Sequence, residues 1–478
     1  MAGAGPRQAV TKKDVDPMSE FALLIDFGST YTKLRAINLN EAKILGSSQG
    51  PSTVTTDINV GMEQALHNLK NNLGSLPRFK YRLASSSAAG GLKMVTIGLV
   101  KELTVEAAKR AALGAGAKLV GIFANRLNSF DLKQIIDLHP DIILLAGGTD
   151  GGDSQVVIHN AKKLGESSLD CPFIYAGNRS AVDEITQAFA HKNLVITENV
   201  MPEFNVLNIE PARAAIRDIF INRIIHAKGI DKAKGQFDHL LMPTPSAVME
   251  GARLIADGYD DKTGLGELLV IDPGGATTDV HSIASGNPSV QGVIQRGLPE
   301  TRVKRTVEGD LGMRHNAVTI LETIGVNELV SLSNIHGERI IEMITYLSKN
   351  PDSVPQSSEE IALDNALAST ALKIAMKRHC GSVEVVYTAT GPVTAQDGKD
   401  LTQIKTLIGT GGVIAHSEDP ISLLKCTLSS LDEPNSLRPT SPKILIDRDY
   451  ILFACGLLSQ VDPKAAFNLA IEHLTNGK

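Results

Sequence analysis

One short motif occurs twice in this chain of 478 residues, and it constrains the fold more than any other feature. The segments "LLIDFGSTYTKLRAI" (23–37) and "LVIDPGGATTDVHSI" (269–283) align without gaps and share Leu, Ile, Asp, Gly, Thr and the final Ile at equivalent positions. In each segment an apolar run ends in Asp, passes through a turn of small residues, and continues as a second run. This pattern predicts two β-hairpins rather than the strand-to-helix step of a Rossmann or P-loop site.

The residue types of these hairpins suit the binding of a phosphate. Glycines let the backbone approach a phosphate closely, and turn N–H groups and hydroxyls donate hydrogen bonds to its oxygens. Asp26 and Asp272, which end the two first strands, could hold Mg²⁺, usually through its waters. A plain glycine turn is the common alternative for a single hairpin, but two equivalent copies disfavour it. Two such hairpins facing each other across a cleft would hold the β- and γ-phosphates of ATP.

The rest of the chain predicts an α/β fold with two main parts. Short β-branched runs alternate with helical ones, which indicates mostly parallel sheets covered by helices. A Gly-rich polar stretch at 258–267 precedes the second hairpin and predicts the main boundary. The expected organisation is a disordered leader (1–20), a first lobe (21–260) with an α/β insertion at about 80–200, and a second lobe (261–478).

Composition and charge exclude several classes of function. The net charge of −6 and the pI near 6.1 give no reason to expect binding to nucleic acid or to an anionic membrane. The basic stretch 301–310 is the only candidate patch, and a solvated surface segment is its favoured interpretation. No apolar run approaches the roughly 18–20 residues that cross a bilayer. The four cysteines form no CxxC and the histidines no HExxH, so we expect a reducing, cytoplasmic location and no tightly held transition metal.

The two hairpins and three further segments resemble, in order, the motifs of the actin/Hsp70/sugar-kinase ATPase superfamily. The segment "LNIEPARAAI" (207–216) resembles the first connecting helix, "TLIGTGGVIAH" (406–416) the adenosine motif, and 448–460 the second connecting helix. The resemblance implies duplicated ribonuclease H-like domains that bind ATP and Mg²⁺, with Asp26 and Asp272 near the metal and Glu210 orienting the attacking water. The residues that it implies for nucleotide binding are Gly28, Ser29, Thr30, Lys33, Gly274, Gly275, Thr277, Gly411 and Gly412.

Over nearly its full length the chain also resembles the accessory proteins encoded beside cobalamin-dependent glutamate mutase, the glutamate mutase L or MutL family, which is unrelated to the mismatch-repair protein. The residues that carry this resemblance include "AGGTDGGD" (146–153), "MPTPSAVMEGARLIADG" (242–258) and "GLPETRVKRTVEGDLGMR" (297–314). It implies an ATP-driven reactivating chaperone that exchanges damaged cobalamin in an adenosylcobalamin-dependent aminomutase, possibly with a small second subunit. The chain has no DxHxxG motif, so direct base-off cobalamin binding of that type is not expected.

Three alternatives remain open from the sequence. A small-molecule kinase would share the hairpins but needs a general base, for which Asp279 and Asp310 are available. A nucleotide-dependent scaffold would bind ATP without serving a mutase. The glycines of 144–153 could bind an anion ahead of a helix, but Asp150 and Asp153 would repel a phosphate, which favours a plain β–α turn.

Overall fold

The computed structural model describes residues 20–28, 31–53, 57–86, 92–227, 238–351, 353–389 and 391–474. The predicted leader, apart from its last residue, and the predicted phosphate ligands Ser29 and Thr30 lie outside these residues. Among the described residues, no helix is both long and apolar enough to cross a membrane.

The secondary structure alternates strands and helices along the chain. The strands are β1 (Phe21–Phe27), β2 (Tyr31–Asn38), β3 (Lys43–Pro51), β4 (Phe79–Ser86), β5 (Lys93–Gly98), β6 (Lys118–Ala124), β7 (Ile142–Leu145), β8 (Phe173–Tyr175), β9 (Leu194–Ile196), β10 (His239–Pro243), β11 (Gly258–Tyr259), β12 (Lys262–Thr263), β13 (Leu268–Pro273), β14 (Thr278–Ile283), β15 (Ile294–Arg296), β16 (Val303–Glu308), β17 (Ser382–Thr388), β18 (Gly391–Asp397), β19 (Thr406–Gly409) and β20 (Lys443–Ile446). The α-helices are α1 (Ile58–Leu73), α2 (Glu106–Gly114), α3 (Ser129–Asp137), α4 (Gln155–Gly165), α5 (Val182–Ala188), α6 (Glu210–Ala227), α7 (Thr244–Asp257), α8 (Ala317–Ile324), α9 (Val326–Ser333), α10 (Gly337–Lys349), α11 (Ser358–His379), α12 (Gly412–His416), α13 (Pro420–Lys425), α14 (Leu452–Leu458) and α15 (Pro463–His473).

Two five-stranded sheets share one topology. The first has the order β10-β4-β1-β2-β3, and the second has the order β16-β14-β13-β19-β20. In each sheet the first three strands in sequence form an antiparallel meander, and the next two lie parallel on the other side of the first strand. This duplicated arrangement confirms the predicted fold class of two ribonuclease H-like domains.

The central strand of each sheet is apolar because helices and neighbouring strands cover it on all sides. Every residue of β1 is buried, and Asp26 is its only ionisable residue. The first four residues of β13 are buried as well, and Asp272 follows them. A near-continuous apolar run is what a strand covered on both faces requires.

A third sheet is inserted in the first domain, between β4 and α6. Its strands are all parallel in the order β6-β5-β7-β8-β9, which is the doubly wound order of flavodoxin-like domains. One face packs on α3, α4 and α5 through a cluster that includes Ile97, Leu145 and Phe173. The chain thus contains an α/β sheet within the segment predicted as an insertion, although β5, its first strand in sequence, was not predicted.

By their contacts the described residues fall into two compact units. The first comprises the chain up to Gly91, residues 217–262 and residues 451–473. The second comprises residues 92–216 and 263–450, together with the last few residues. The insertion thus groups with the second sheet, and the C-terminal helices group with the first sheet. The boundaries predicted from the sequence had assigned the insertion to the first lobe and the C-terminal helices to the second.

The basic stretch 301–310 is not the solvated surface segment that was expected. It forms β16, the edge strand of the second sheet, and Arg305 within it is buried. Lys304 pairs with Glu300, and Arg305 pairs with Asp279. Lys304 and Arg305 are therefore neutralised by acids of the same unit.

Candidate functional site

Asp26 is the penultimate residue of β1 and lies in the interior of the first unit. Thr244 donates a hydrogen bond of 2.6 Å to its Oδ1, and Ser85 donates one of 3.4 Å to the same oxygen. Its side chain faces Lys33 across the β1–β2 pair. Burial raises the pKa of Asp26 above its usual range, while Lys33 and the two hydroxyls oppose that rise. The carboxylate is thus held in place by groups that favour its charged form.

The turn of the first hairpin requires glycine at position 28. The N–H of Gly28 donates to the carbonyl of Tyr31 at 3.0 Å, which closes the turn. A Cβ at Gly28 would lie 2.6 Å from that carbonyl oxygen, a distance that real Cβ atoms do not tolerate. Asp26 Oδ2 lies on the same side, 3.8 Å from the position of this Cβ. The turn backbone and one carboxylate oxygen of Asp26 are therefore close together.

The second hairpin repeats this geometry at the same spacing. The N–H of Gly274 donates to the carbonyl of Thr277 at 2.8 Å, and a Cβ at Gly274 would lie 2.9 Å from that oxygen. Asp272 precedes Gly274 by two residues, as Asp26 precedes Gly28. The two hairpins predicted from the repeated motif thus form, with matching turn contacts.

Residues 313–315, in the loop after β16, support the turn of the second hairpin through backbone hydrogen bonds. Met313 N–H donates to Gly274 O at 3.0 Å, and Arg314 and His315 N–H donate to Gly275 O at 2.9 and 3.0 Å. Arg314 is itself fixed by two hydrogen bonds to Asp364. Because the carbonyls of Gly274 and Gly275 accept these hydrogen bonds, both glycines are held in a fixed orientation.

The predicted adenosine motif lies against the second hairpin. Gly411 has φ of 91°, and a Cβ there would lie 2.4 Å from Asp272 Oδ1. Thr410 N–H donates to Ile271 O at 3.0 Å, which joins the end of β19 to β13. A Cβ at Gly412 would lie 3.1 Å from the hydroxyl oxygen of Tyr450. Asp272 and Gly411 are therefore neighbours.

Asp279 lies opposite Asp272 on the neighbouring strand and is fully engaged. Thr277 Oγ1 donates to its Oδ2 at 2.9 Å, and Arg305 Nε donates to its Oδ1 at 2.9 Å. His281, opposite Arg305, is not a second cation beside Asp279, because burial and then Arg305 itself lower the pKa of His281 to about 3. Asp279 is thus the counter-ion of a buried arginine.

Glu210 begins α6 and lies far from the turn of the second hairpin. It forms an ion pair with Arg213, whose Nη2 lies 3.4 Å from Val303 O. Val303 is four residues along β16 from Val307, the residue opposite Asp279, or about 13 Å at the rise of a strand. The structure therefore places Glu210 beside the other end of the β14–β16 pair.

The sequence did not predict the two hydroxyls that hold Asp26. The N-cap residue of α7 is Pro243, and the hydroxyl of Thr244 is bonded to Asp26. Its position directly after a strand and before a helix was the available signal. Ser85 gave no comparable signal.

The glycines of 146–153 serve the turn between β7 and α4. A Cβ at Gly148 would lie 2.1 Å from Asp153 O. The Asn178 side chain accepts from Gly151 N–H and donates to Gly152 O, both at 3.0 Å. These contacts support the interpretation as a plain β–α turn.

The oxygen-only donors at the strand ends suit Mg²⁺. Asp26 presents Oδ2 toward its glycine turn, and Asp272 lies opposite Asp279, which supplies a second carboxylate. Carboxylates and hydroxyls are the ligands that a hard divalent cation prefers. The residues present therefore fit this ion in either hairpin.

The duplicated sheets with their Asp-Gly hairpins define a two-lobed actin-like ATPase fold. The chain belongs to the MutL protein family, whose model matches residues 22–474. Protein MutL of Clostridium tetanomorphum is 45% identical over 455 residues, which cover 95% of this chain and 98% of that protein.

Solved structures show weaker similarity. The activator of the 2-hydroxyisocaproyl-CoA dehydratase from Clostridium difficile, solved with bound ADPNP, is 12% identical, with a TM-score of 0.32 and coverage of 95% of this chain and 96% of that one. The ligand-bound xylulose kinase from Lactobacillus acidophilus is 10% identical, with a TM-score of 0.38 and coverage of 95% and 92%. At such low TM-scores, the fold is defined by the strand order of the two sheets.

Proposed function

We propose that this protein binds ATP with Mg²⁺ at its two Asp-Gly hairpins and hydrolyses it. The proposed task is to reactivate an adenosylcobalamin-dependent aminomutase of the glutamate mutase type by driving the exchange of damaged cobalamin. The observation that carries the ATPase proposal is the repetition of one turn geometry, Asp-x-Gly with the same closing hydrogen bond, in two sheets of identical topology. Membership of the MutL family supports the choice of partner.

The roles follow from the contacts of each hairpin. Bound Mg²⁺ would neutralise phosphate charge and polarise the phosphoryl oxygens. Asp26 and Asp272 would hold its hydration shell, and the turn N–H groups with Lys33 and Thr277 would hold phosphate oxygens. Gly411 and Gly412 would leave space for the nucleoside. Glu210 is assigned the orientation of the attacking water on the family resemblance alone.

The contacts of the second unit disfavour a kinase. Both carboxylate oxygens of Asp310 accept hydrogen bonds from Arg378, which keep the pKa of Asp310 below its usual range. Asp279 is bonded to Arg305 and Thr277. A general base must accept a proton from a substrate hydroxyl, and neither carboxylate is placed to do so.

The test is ATP hydrolysis with and without an aminomutase that carries damaged cobalamin. We expect slow Mg²⁺-dependent hydrolysis alone, a changed rate with the mutase, and recovery of mutase activity only when ATP and adenosylcobalamin are both supplied. Hydrolysis that requires a small hydroxylated acceptor would instead indicate a kinase. Nucleotide-dependent polymers without any effect on the mutase would indicate a scaffold.

Glu210→Ala serves as the hydrolysis-deficient variant in the same assay. We expect ATP binding to be retained and hydrolysis to fall by about 10²–10⁴-fold, the usual effect of losing a residue that handles a proton. An unchanged rate would move the water-orienting role to Glu203 or Asn205.

A further inference from the structure

A continuous series of polar contacts leads from the second hairpin to the inserted domain. Thr277 donates to Asp279, and Arg305 donates to the other oxygen of Asp279. The Nη1 of Arg305 then donates to Leu113 O at 3.0 Å, at the C-terminal end of α2. Only 3% of the Arg305 side chain is exposed, so water does not replace these contacts. One guanidinium therefore joins a hairpin carboxylate to a helix of the insertion.

The contacts of Arg305 require an arginine. Its planar fork carries several N–H donors with fixed directions, so one edge can bond a carboxylate while another bonds a carbonyl. The carbonyls at the C-terminus of a helix carry partial negative charge, which favours a cation there. Lysine at this position would keep the charge but would present a single ammonium point. It could satisfy Asp279 or the end of α2, but not both in the observed geometry.

Helix α2 is the element through which the insertion packs on the second sheet. Arg110 of α2 pairs with Glu300, whose side chain is 3% exposed, and donates to Pro299 O at 2.7 Å. Arg213 lies over Gly114 and approaches Val303 O. All of these partners lie on or just before β16. A change at Arg305 is thus transmitted directly to the packed end of α2.

The hydroxyl of Thr277 has two exclusive uses. It has one proton, so it donates either to Asp279, as observed, or to a phosphate oxygen. When it donates to a phosphate, Asp279 loses a donor and keeps Arg305. A cation held beside Asp272 would also attract Asp279, which faces it across the β13–β14 pair. Both events alter the ion pair between Asp279 and Arg305.

We propose that Asp279 and Arg305 are positioning residues that transmit the nucleotide state of the second hairpin to α2 of the inserted domain. This inference rests on the proposed function, because it requires a nucleotide at that hairpin. It assigns a regulatory contact to Arg305, which lies outside the ATPase motifs. It also makes the insertion the element whose surface changes with nucleotide state.

The experiment is hydrogen–deuterium exchange on the full chain, with and without Mg²⁺ and a non-hydrolysable ATP analogue. In the wild type we expect altered exchange in peptides covering 273–278 and in peptides covering 106–117. A coupling free energy of typical size corresponds to a change of about 5-fold or more in the exchange of α2. In Arg305→Lys, at saturating nucleotide, the hairpin should still respond and α2 should not.

Two further variants keep the result interpretable. Asp279→Asn preserves the shape of the side chain but removes the charge that Arg305 and the cation share, and it should also uncouple α2. Arg110→Lys is the matched control, since it alters the other arginine that ties α2 to the region of β16 without contacting Asp279. It should retain the nucleotide response of α2. Circular dichroism and thermal unfolding verify that each variant is folded.

The outcomes separate this inference from the proposed function. If the wild-type hairpin responds to nucleotide and α2 does not, the coupling is wrong while nucleotide binding stands. If Arg305→Lys and Asp279→Asn leave the response of α2 intact, or if Arg110→Lys also abolishes it, the pair is not the specific link. If neither the hairpin nor α2 responds in the wild type, the ATP site itself is wrong, and the inference falls with it.

Discussion

At the scale of single residues, Asp26 is a charged group held where burial opposes its charge. Its carboxylate is 6% exposed, and the resulting loss of hydration is the largest influence on its pKa, which is raised. Thr244 and Ser85 compensate in part, through hydrogen bonds to Oδ1. A group that is kept charged in an unfavourable environment is a candidate for function, because stability alone would select a neutral residue.

Asp26→Asn should therefore stabilise the protein at neutral pH while abolishing Mg²⁺-dependent ATP turnover. The folded state binds the proton of Asp26 more tightly than the unfolded state, so raising the pH from 3.8 through the native pKa removes stability from the wild type. Asparagine does not titrate, and its side-chain oxygen can still accept from Thr244. The difference in melting temperature between variant and wild type should grow as the pH rises through that interval.

Asp238→Asn is the control, because this carboxylate is exposed and paired with Arg82 at the edge of the same sheet. It should lower stability slightly and leave ATP turnover unchanged. A melting temperature of Asp26→Asn below that of the wild type at every pH would contradict the proposed cost of burying Asp26.

At the scale of elements, α7 and α14 cross closely because glycines remove side chains at their contact. A Cβ at Gly456 would lie 1.7 Å from Ala247 O, and a Cβ at Gly251 would lie 2.4 Å from Leu452 O. Both obstacles are backbone atoms, which cannot rotate away as a flexible side chain can. The grouping of the C-terminal helices with the first unit depends on this contact.

Gly456→Ala should destabilise the first unit. Overpacking of an interior typically costs about 1–3 kcal/mol, and a backbone clash of this size lies at the upper end. Gly309→Ala is the matched control, since the nearest atom to its Cβ would be a lysine carbon at 4.0 Å. Thermal unfolding should show a lowered melting temperature for Gly456→Ala and an unchanged melting temperature for Gly309→Ala. Equal stability of the two variants would mean that the helices can separate at little cost.

At the scale of the whole molecule, the two hairpins belong to different compact units yet are proposed to bind one kind of ligand. A non-hydrolysable ATP analogue with Mg²⁺ at 100 times its Kd should stabilise the protein by about 2.7 kcal/mol. Either Asp26→Asn or Asp272→Asn should remove most of this gain. The shift of the thermal unfolding transition on adding the analogue measures it.

Asp310→Asn is the control for this experiment. It removes a carboxylate of the second unit that pairs with Arg378 outside the hairpin. It should retain the full ligand-induced shift. If one of the two hairpin variants keeps that shift, its hairpin does not contribute to nucleotide binding.

The repeated motif by itself determined the duplicated topology and most of the candidate site. Alternation of apolar runs and glycine turns depends on neighbours in sequence, so Asp26, Gly28, Asp272 and Gly274 could be located from the chain alone. The strand β5 escaped prediction because a short apolar run resembles a buried helix segment.

Tertiary structure alone decided what these residues contact. Thr244 lies 218 residues from Asp26 in sequence, and Arg305 lies 192 residues from Leu113, so no local pattern records either pairing. The sequence assigned the insertion to the first lobe by its position in the chain, whereas its buried contacts with β16 place it in the second unit. Periodicity and turn chemistry act over a few residues, but the partners of a buried charge are set by packing between distant segments, and packing decides which residues can act together.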